Sequence, residues 1–373
     1  MLSSGYGAGM ATAAKGKVFV GMSGGVDSSV AAMLLRDRGY DVTGVFMRCY
    51  NVDGCAERDA EDARRVAETL HLPFYVWDFE EEYKQRVVEY MVEGYRAGIT
   101  PNPDVMCNKE IKFGLFLKKA LEASADYVAT GHYVRLDRSN GNNNHGYQLI
   151  VAIDGNKDQS YFLWTLTQLQ LAHCLFPIGD FVKPEVRAMA RAAGLPTAEK
   201  KDSQGICFLG MVSIEDFLKQ YIPEKPGMLV TTGGEAIGEH SGTSFYTIGQ
   251  RHLDARFKFP KTGGAMERKP FYVAAKDAAT NTVTVAEGGD HPALYQKEIT
   301  LVNMNFINQP VEGEVLTRVR YRQPLSPAVL RCDDAAAGRY RLLFRKPQKF
   351  VAPGQSAVFY NADGVMLGGG VIL

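Results

Sequence analysis

The sequence predicts an α/β domain with a parallel sheet, followed by two mainly β regions, the last of which is a small β-barrel. Between Lys17 and Gly194, short apolar runs alternate with amphipathic helical patterns. Such alternation indicates βα units with helices on both faces of the sheet. After Tyr221 it stops, and short strand-like runs are separated by Gly and Pro turns, as in small barrels. The length of 373 residues fits two or three domains.

The composition narrows the classes of protein to consider. The chain has 42 Lys and Arg against 42 Asp and Glu, so a nucleic-acid partner must be held by local basic patches. No apolar run approaches the roughly 18 residues of a membrane span. Six cysteines without a CxxC pair argue against structural zinc, and reduced thiols in the cytoplasm are expected. The first 16 residues lack the apolar core of a signal peptide and are predicted to be a disordered tail.

The first unusual stretch is VFVGMSGGVDSS, residues 18–29, where a strand, a glycine turn and a helix start follow one another. Glycines let the backbone approach a ligand, and the first N–H groups of a helix attract anions. The Lys of a Walker A loop is missing, so this is not the usual P-loop. Asp27 is a candidate for holding a cation beside phosphates. The candidate nucleotide-binding residues here are Gly21, Met22, Ser23, Gly24, Gly25, Val26, Asp27 and Ser28.

The following elements continue the α/β pattern and bring further residues to the same edge of the sheet, because ligands bind at the carboxyl ends of parallel strands. Met47 ends the second strand and either covers an adenine ring or fills the core. Gly131 follows another strand and permits close backbone approach. His132 is either a donor to RNA or a capped loop histidine. The predicted strands and helices are 42–47, 56–70, 74–77, 79–95 and 127–130.

Residues 100–108, TPNPDVMCN, form the second unusual stretch. Pro101 and Pro103 end the preceding helix and predict an extended turn. A new helix is predicted with Asn108 as its N-cap. Cys107 would then lie at a helix N-terminus, where the thiol pKa falls. Cys107 is therefore either a reactive thiol or a buried inert one, and Asp104 is a candidate acid or base.

The third stretch is KKDSQGICFLG, residues 200–210. Cys207 lies in a loop flanked by glycines, and Lys200 and Lys201 precede it. Positive neighbours favour the thiolate. Two cysteines, Cys107 and Cys207, each in an irregular loop of the α/β domain, suggest a redox-coupled pair.

The C-terminal region is basic. Residues 301–373 carry 9 Lys and Arg and 5 Asp and Glu, a net charge of +4. Arg318, Arg320 and Arg322 are predicted to share one face of a strand over residues 316–321, with Tyr321 on the other face. This face either binds phosphates or is simply solvated.

Six motifs in order carry a resemblance to a known family: SGGVDSS, TPNPDVMCN, ATGHYVR, KDQSYFLW, KDSQGICF and YTIGQR. Together they resemble the tRNA-specific 2-thiouridylase family of the PP-loop ATP pyrophosphatases, over essentially the whole chain after Lys17. The resemblance implies a PP-loop catalytic domain over residues 17–211, a small central domain over 212–290 and a tRNA-binding β-barrel over 291–373.

The resemblance also implies a reaction, in which sulfur replaces the 2-oxygen of the wobble uridine of tRNA. ATP, with Mg²⁺ but no dedicated protein metal site, would adenylate that oxygen, and an upstream protein, a cysteine desulfurase or relay, would supply sulfur. Cys207 would carry the persulfide, Cys107 would be the nucleophile that forms a Cys107–Cys207 disulfide, and Asp104 would move protons. The implied tRNA-binding residues are Asn102, Pro103, Asp104, His132, Lys157, Asp158, Gln159, Arg320, Tyr321 and Gln355.

Two other classes of function are considered. A different PP-loop enzyme would adenylate a small molecule, but it would not need paired loop cysteines or a basic β-barrel. A non-catalytic RNA-binding protein would explain the C-terminal region alone, but the intact SGGVDS loop argues against it. An assay of ATP–pyrophosphate exchange with tRNA separates an adenylating enzyme from a non-catalytic RNA-binding protein.

Overall fold

The computed structural model describes residues 14–50, 54, 56–138, 146–201, 212–253, 255–257 and 269–373. Most of the predicted N-terminal tail lies outside the described residues, as do residues 139–145 and residues 202–211, which include Cys207.

The first domain contains the predicted parallel sheet. Its five strands lie in the order β3-β2-β1-β4-β7, and the neighbours all run parallel. The strands are β1 (Lys17–Gly21), β2 (Asp41–Arg48), β3 (Phe74–Asp78), β4 (Tyr127–Thr130) and β7 (Cys174–Leu175). The short β7 has no clear sequence pattern, whereas the other four were expected from their apolar runs. A hairpin of β5 (Arg135–Asp137) and β6 (Gln148–Ile150) precedes β7.

Helices cover both faces of this sheet, as expected for βα units. The alternating side chains of β1 show this: Phe19 packs into one apolar cluster and its neighbours Val18 and Val20 pack into another. The helices are α1 (Val26–Asp37), α2 (Ala56–Leu70), α3 (Glu80–Tyr83), α4 (Glu89–Arg96), α5 (Pro103–Met106), α6 (Leu117–Glu122), α7 (Gln168–Leu171) and α8 (Lys183–Ala192). π-Helical segments at Lys84–Val88 and Cys107–Phe116 join α3 to α4 and α5 to α6.

The helix that contains Cys107 begins earlier than its sequence predicts. Pro103 is its first residue, and the side chain of Asn102 accepts a hydrogen bond from the Val105 N–H at 3.2 Å. Asn102 is therefore the N-cap, and the expectation of a cap at Asn108 is wrong. A proline suits the first helical position because its fixed φ matches the helix and its missing N–H needs no partner. Cys107 consequently lies in the second turn, where the helix dipole acts less strongly.

The two later domains are mainly β, which confirms the predicted fold class. After α9 (Ile214–Lys219), a five-stranded sheet has the order β10-β9-β8-β12-β11. Its strands are β8 (Gly227–Thr231), β9 (Ala236–His240), β10 (Ala255–Phe257), β11 (Phe271–Asp277) and β12 (Thr282–Glu287). Short 3₁₀ turns lie at Ser160–Phe162, Thr243–Phe245 and Pro292–Leu294.

The C-terminal domain is a closed six-stranded barrel in the order β13-β16-β15-β14-β17-β18. Its strands are β13 (Tyr295–Phe306), β14 (Gly313–Arg318), β15 (Ser326–Asp334), β16 (Arg339–Lys349), β17 (Ser356–Tyr360) and β18 (Met366–Ile372). Closure leaves no unpaired sheet edge. A single cluster of apolar side chains from these strands and their connecting loops forms its core.

The strand expected over residues 316–321 ends at Arg318. The chain then turns, with Gln323 N–H donating to the Arg320 carbonyl at 3.2 Å and Arg322 at a φ of +63°. Arg318, Arg320 and Arg322 therefore do not share a strand face, and the prediction that they do is wrong. A period-of-two argument holds only while the backbone stays extended.

The barrel packs directly on the first domain through the loop after β6. Asn305 Nδ2 donates to the carbonyls of Trp164 and Leu166 at 2.7 and 3.1 Å. The indole of Trp164 lies where a Cβ on Gly369 would approach it to 2.7 Å, so this contact requires glycine. Within the described ranges, no helix is long and apolar enough to cross a membrane.

Candidate active site

The turn between β1 and α1 has the geometry of an anion cradle. Gly24 has a φ of +72°, and a Cβ there would lie 2.3 Å from the Asp59 carbonyl oxygen, so only glycine fits. The Ser23 N–H donates to Ser28 Oγ at 3.1 Å, which folds the turn back over the helix start. Gly25 occupies the N-cap and offers no side-chain acceptor to the first N–H groups of α1. Those groups are available to a phosphate.

The neighbouring strand ends close around this turn, as the parallel topology predicts. A Cβ on Gly131 would lie 2.5 Å from the Ser28 nitrogen, so the end of β4 touches the start of α1. Met47 Cε would lie 3.0 Å from a Cβ on Gly21, which places Met47 over the end of β1. Met22 and Val26 are buried, at 1% and 3% exposure, so only their backbones can meet a nucleotide.

Asp27 is held by a lysine and a tyrosine that the sequence analysis did not select. Lys183 Nζ lies 2.8 Å from both carboxylate oxygens of Asp27, and the Tyr133 hydroxyl donates to Oδ1 at 2.8 Å. The side chain of Lys183 is only 10% exposed. Lys183 is the first residue of α8, where the helix dipole disfavours a cation. A lysine at that position is a signal that could have pointed to an anionic partner.

Cys107 and Asp104 occupy successive turns of one helix. Cys107 is 4% exposed and Asp104 is half-buried in the first turn. The same helical segment continues to Phe116, whose ring lies 3.7 Å from a Cβ built on Gly21 at the end of β1. The helix therefore passes the carboxyl edge of the sheet, where the turn between β1 and α1 lies. Cys174, by contrast, is a structural thiol: burial raises its pKa well above the ordinary value, and its Sγ donates to the Gln170 carbonyl.

Lys200, which precedes Cys207 in the sequence, is paired with two carboxylates. Its Nζ lies 2.7 Å from Asp59 Oδ1 and 2.5 Å from Asp62 Oδ2, both on α2. Burial alone would lower the pKa of Lys200, but the two carboxylates outweigh it and raise the pKa. Lys200 therefore anchors the chain to α2, and its influence on Cys207 stays a prediction.

Several residues expected to contact tRNA are bound within the protein, and Asp158 is buried where the first domain meets the barrel. Asp158 forms an ion pair with Arg318 at 2.9 Å, and their side chains are 2% and 8% exposed. Gln159 Oε1 accepts from the Tyr133 N–H at 3.0 Å. His132 is 6% exposed, and its Nδ1 lies 2.7 Å from Thr130 Oγ1. Burial, aided by the charge of Lys112, lowers the pKa of His132 well below its ordinary value.

Other expected tRNA contacts lie nearer the surface. Arg320 is exposed in the turn after β14, with its guanidinium 5.8 Å from the Phe350 ring. Tyr321 packs on Phe162 with ring centroids 4.5 Å apart, and Arg322 lies over Tyr321 at 5.2 Å. Cations beside aromatic rings are typical of surfaces that bind the backbone and bases of RNA. Arg320 and Tyr321 are thus brought to one edge of the barrel.

Comparison with known proteins assigns the chain to a family. Residues 16–211 match the model described as tRNA methyl transferase HUP domain, 215–287 the tRNA methyl transferase PRC-barrel domain, and 296–372 the aminomethyltransferase beta-barrel domain. A protein of Idiomarina loihiensis named tRNA-specific 2-thiouridylase MnmA is 46% identical over 374 residues, covering 97% of both chains. The chain belongs to the tRNA-specific 2-thiouridylase family. The resemblance drawn from the six motifs is confirmed.

Further 2-thiouridylase relatives show the same full-length match. The protein of Pseudomonas aeruginosa PAO1 is 46% identical and covers 95% of this chain and 94% of its own. That of Bacillus licheniformis is 44% identical, with 95% and 94% covered. A solved structure, NMN synthetase from Francisella tularensis, aligns over 51% of this chain and 67% of its own, with 18% identity and a TM-score of 0.33. Similarity at that level does not bear on function.

Membership of the 2-thiouridylase family makes the chain an enzyme that uses ATP, and it removes both alternatives. A non-catalytic RNA-binding protein is inconsistent with full-length identity to named thiouridylases. An enzyme that adenylates a small molecule would not match all three family domains. The word methyl transferase in the names of two domains does not extend to the relatives themselves, which are named for thiolation.

The buried Asp158–Arg318 pair gives a stability prediction. Asp158→Ala should lower the free energy of unfolding by about 3–5 kcal/mol, because Arg318 would remain buried and charged without its partner. Chemical denaturation of the full chain measures this. Asp363→Ala, at an exposed turn of the barrel, is the matched control and should change little. Adding Arg318→Met to Asp158→Ala should recover part of the loss; if it does not, the pair is not the cause.

Proposed function

We propose that this 2-thiouridylase activates the 2-oxygen of the wobble uridine at the Ser23–Ser28 turn and thiolates it through Cys207 and Cys107. The observation that carries the proposal is the anion cradle at the start of α1, with Lys183 and Asp27 beside it, in a chain 46% identical to a named 2-thiouridylase over its full length. We assign residues 17–211 to catalysis, 212–290 to a small central domain and 291–373 to tRNA binding.

The first step converts the uracil 2-oxygen, which is a poor leaving group, into a good one. The uracil 2-oxygen attacks the α-phosphorus of ATP, pyrophosphate departs, and the base becomes an O²-adenylate. The N–H groups at the start of α1 and the ammonium of Lys183 are positioned to stabilise the phosphate charge. Asp104 takes the N3 proton that the base loses in this step.

Mg²⁺ is proposed to enter with the nucleotide. Among the described residues, no group of three or more His, Cys, Asp or Glu side chains is placed to hold a metal ion. Phosphate oxygens with one carboxylate are a usual Mg²⁺ environment, and Asp27, whose two oxygens also accept from Lys183 Nζ, would be the carboxylate beside the cradle. When bound, Mg²⁺ neutralises charge on the phosphates.

Sulfur transfer follows in two displacements. The terminal sulfur of the Cys207 persulfide attacks C2 and expels AMP, which leaves the base joined to Cys207 through a disulfide. The Cys107 thiolate then attacks Cys207 Sγ, and the base leaves with the outer sulfur, which becomes the 2-thio group. Asp104 returns the proton to N3. The Cys107–Cys207 disulfide that remains needs two electrons from a thiol reductant before the next turnover.

Two requirements follow for the surroundings of the enzyme. A protein that carries persulfide sulfur, such as a cysteine desulfurase or its relay, must load Cys207. A reducing compartment must reset the disulfide, so we place the reaction in the cytoplasm. The target base must also leave its stack to reach the cradle, as other base-modifying enzymes require.

The test of this function combines two measurements on the purified chain. Pyrophosphate exchange into ATP should depend on added tRNA, and mass analysis of the wobble uridine should show one oxygen replaced by sulfur when a persulfide donor is present. Exchange without tRNA, driven by a small molecule, would contradict the proposal. So would thiolation at a base other than the wobble uridine.

The surface of the barrel gives a prediction on RNA affinity. Arg320→Ala should weaken tRNA binding and reduce the slope of log K against log salt by about 0.7–0.9, because one phosphate contact is lost. Binding at several salt concentrations measures the slope. Arg345→Ala is the matched control, since this exposed arginine of the same barrel is already paired with Glu314. Equal slopes for both variants would show that Arg320 is not part of the tRNA-binding surface.

A further inference from the structure

The segment that leads into the Cys107 helix is buried but has few hydrogen-bond donors of its own. Residues 100–103 are all buried, and Pro101 and Pro103 have no N–H. Pro101 packs against α4, where a Cβ on Gly94 would lie 2.8 Å from its ring. Such a segment cannot be held by strand pairing, because every second donor is missing. Hydrogen bonds to its carbonyls therefore contribute to holding it in place.

The barrel supplies the hydrogen-bonding groups for Thr100 and Pro101, whereas the backbone of Asn102 is bound by Met106 and Tyr90 of the first domain. Gln355 Nε2 donates to the carbonyls of both Thr100 and Pro101, each at 3.0 Å. The Thr100 N–H donates to the Pro353 carbonyl at 2.8 Å. Gly354, at a φ of +88°, comes so close that a Cβ would lie 2.8 Å from the Thr100 oxygen. The barrel loop thus holds the segment on both its donor and its acceptor sides.

The segment in turn sets the start of the catalytic helix. Asn102, the next residue, is the N-cap that receives the Val105 N–H, and the Met106 N–H donates to its carbonyl at 3.2 Å. The Asn102 side chain also interacts with the Tyr161 hydroxyl, which donates to the Ser356 carbonyl beside Gln355. Displacement of Asn102 would move Asp104 and Cys107, since both lie within the first two turns.

We propose that Gln355 is a positioning residue, which holds the Asn102 cap and thereby places Asp104 and Cys107 for sulfur transfer. The barrel is then part of the catalytic geometry and not only a surface for tRNA. This proposal rests on the function proposed above for Asp104 and Cys107. It differs from the expected role of Gln355 as a tRNA contact, because it acts in the protein without RNA.

The test compares Gln355→Ala and Gln355→Glu with the wild type as full-length protein. Without RNA, amide hydrogen exchange at the non-proline residues from Thr100 to Cys107 should be about tenfold faster in Gln355→Ala, because two hydrogen bonds are lost. Single-turnover thiolation at saturating tRNA and ATP should fall about tenfold to a hundredfold, since small misplacements of reacting groups have such effects. The Kd for tRNA should stay near that of the wild type. Gln355→Glu should show the same changes in exchange and rate as Gln355→Ala, because a carboxylate of equal size repels the two carbonyls.

Gln348→Ala is the matched control. The amide of this barrel glutamine donates within the barrel, to Ser326 Oγ at 2.9 Å and the Lys346 carbonyl at 2.8 Å. It should lower stability without changing exchange at residues 100–107 or the single-turnover rate. The proposal is overturned if exchange there is unchanged in both Gln355 variants, or if the rate is unchanged while the tRNA Kd rises. A wild type that does not thiolate tRNA would contradict the proposed function, and the exchange comparison would still decide the positioning role.

Discussion

Cys107→Ser is expected to accept sulfur at Cys207 and then stop before product release. The proposed role of Cys107 comes last, after the base is bonded to the persulfide of Cys207. Loading of Cys207 with sulfur and adenylation of the base should therefore proceed. A serine hydroxyl is a far weaker nucleophile than a thiolate toward a disulfide, and the base should remain attached to the protein. Mass analysis of the intact protein after one turnover should show the nucleotide adduct, and released 2-thiouridine should be absent.

Cys207→Ser is expected to fail earlier. No labile sulfur should be bound to the enzyme, and no adduct should form, because the persulfide carrier is missing. The wild type after one turnover without reductant should contain a Cys107–Cys207 disulfide, found by peptide mapping under non-reducing conditions. Such a bond requires the two Cα atoms to approach within about 7 Å.

Cys332→Ser serves as the control for both cysteine variants, since Cys332 lies on β15 of the barrel and should be dispensable. The division of roles is wrong if Cys107→Ser releases thiolated tRNA at the normal rate and the wild type forms no cross-link. Cys107 would then be only a structural thiol, as its 4% exposure also allows.

Asp27→Ala should strongly reduce adenylation while tRNA binding stays nearly intact. The carboxylate orients Lys183 beside the phosphate cradle, and both contacts of 2.8 Å are lost together. Removal of one electrostatic group from such a site typically lowers the rate by about 10²–10³-fold. Pyrophosphate release in the presence of tRNA measures the effect, and Lys183→Ala should match it. The RNA surface at Arg320 lies in another domain and should not respond.

The control for this variant lies on the same helix. Asp37→Ala removes an exposed carboxylate at the far end of α1, paired with the adjacent Arg36, and should leave pyrophosphate release unchanged. Because Asp27→Ala leaves the ammonium of Lys183 buried, the free energy of unfolding must be measured in parallel. An Asp27→Ala/Lys183→Met double variant removes the unpaired charge. Normal pyrophosphate release from a folded Asp27→Ala protein would contradict the assignment of the nucleotide site.

The limits of prediction from sequence are visible at the Cys107 helix. The proline pair identified a helix boundary, but it left open which polar residue caps the helix. Asn102 and Asn108 are both good N-cap residues by type. The choice depends on Pro103, which fits the first helical turn, and on the barrel loop that holds Thr100. Similarly, the spacing of Arg318, Arg320 and Arg322 predicted one face, but the strand ends where Arg318 meets Asp158.

What the sequence by itself determined is local chemistry. The proposed nucleotide turn lies within residues 18–29, where the strand, glycines and helix start are consecutive, so their types alone define the cradle. Only the tertiary structure decided which distant groups meet: Lys183 lies 156 positions from Asp27 at this turn, and Gln355 lies 254 positions from Pro101 before the Cys107 helix. Such pairs leave no periodic signal, because their proximity comes from the packing of helices and of a whole barrel against the sheet. A buried charge or amide finds its partner only once that packing has removed both from water.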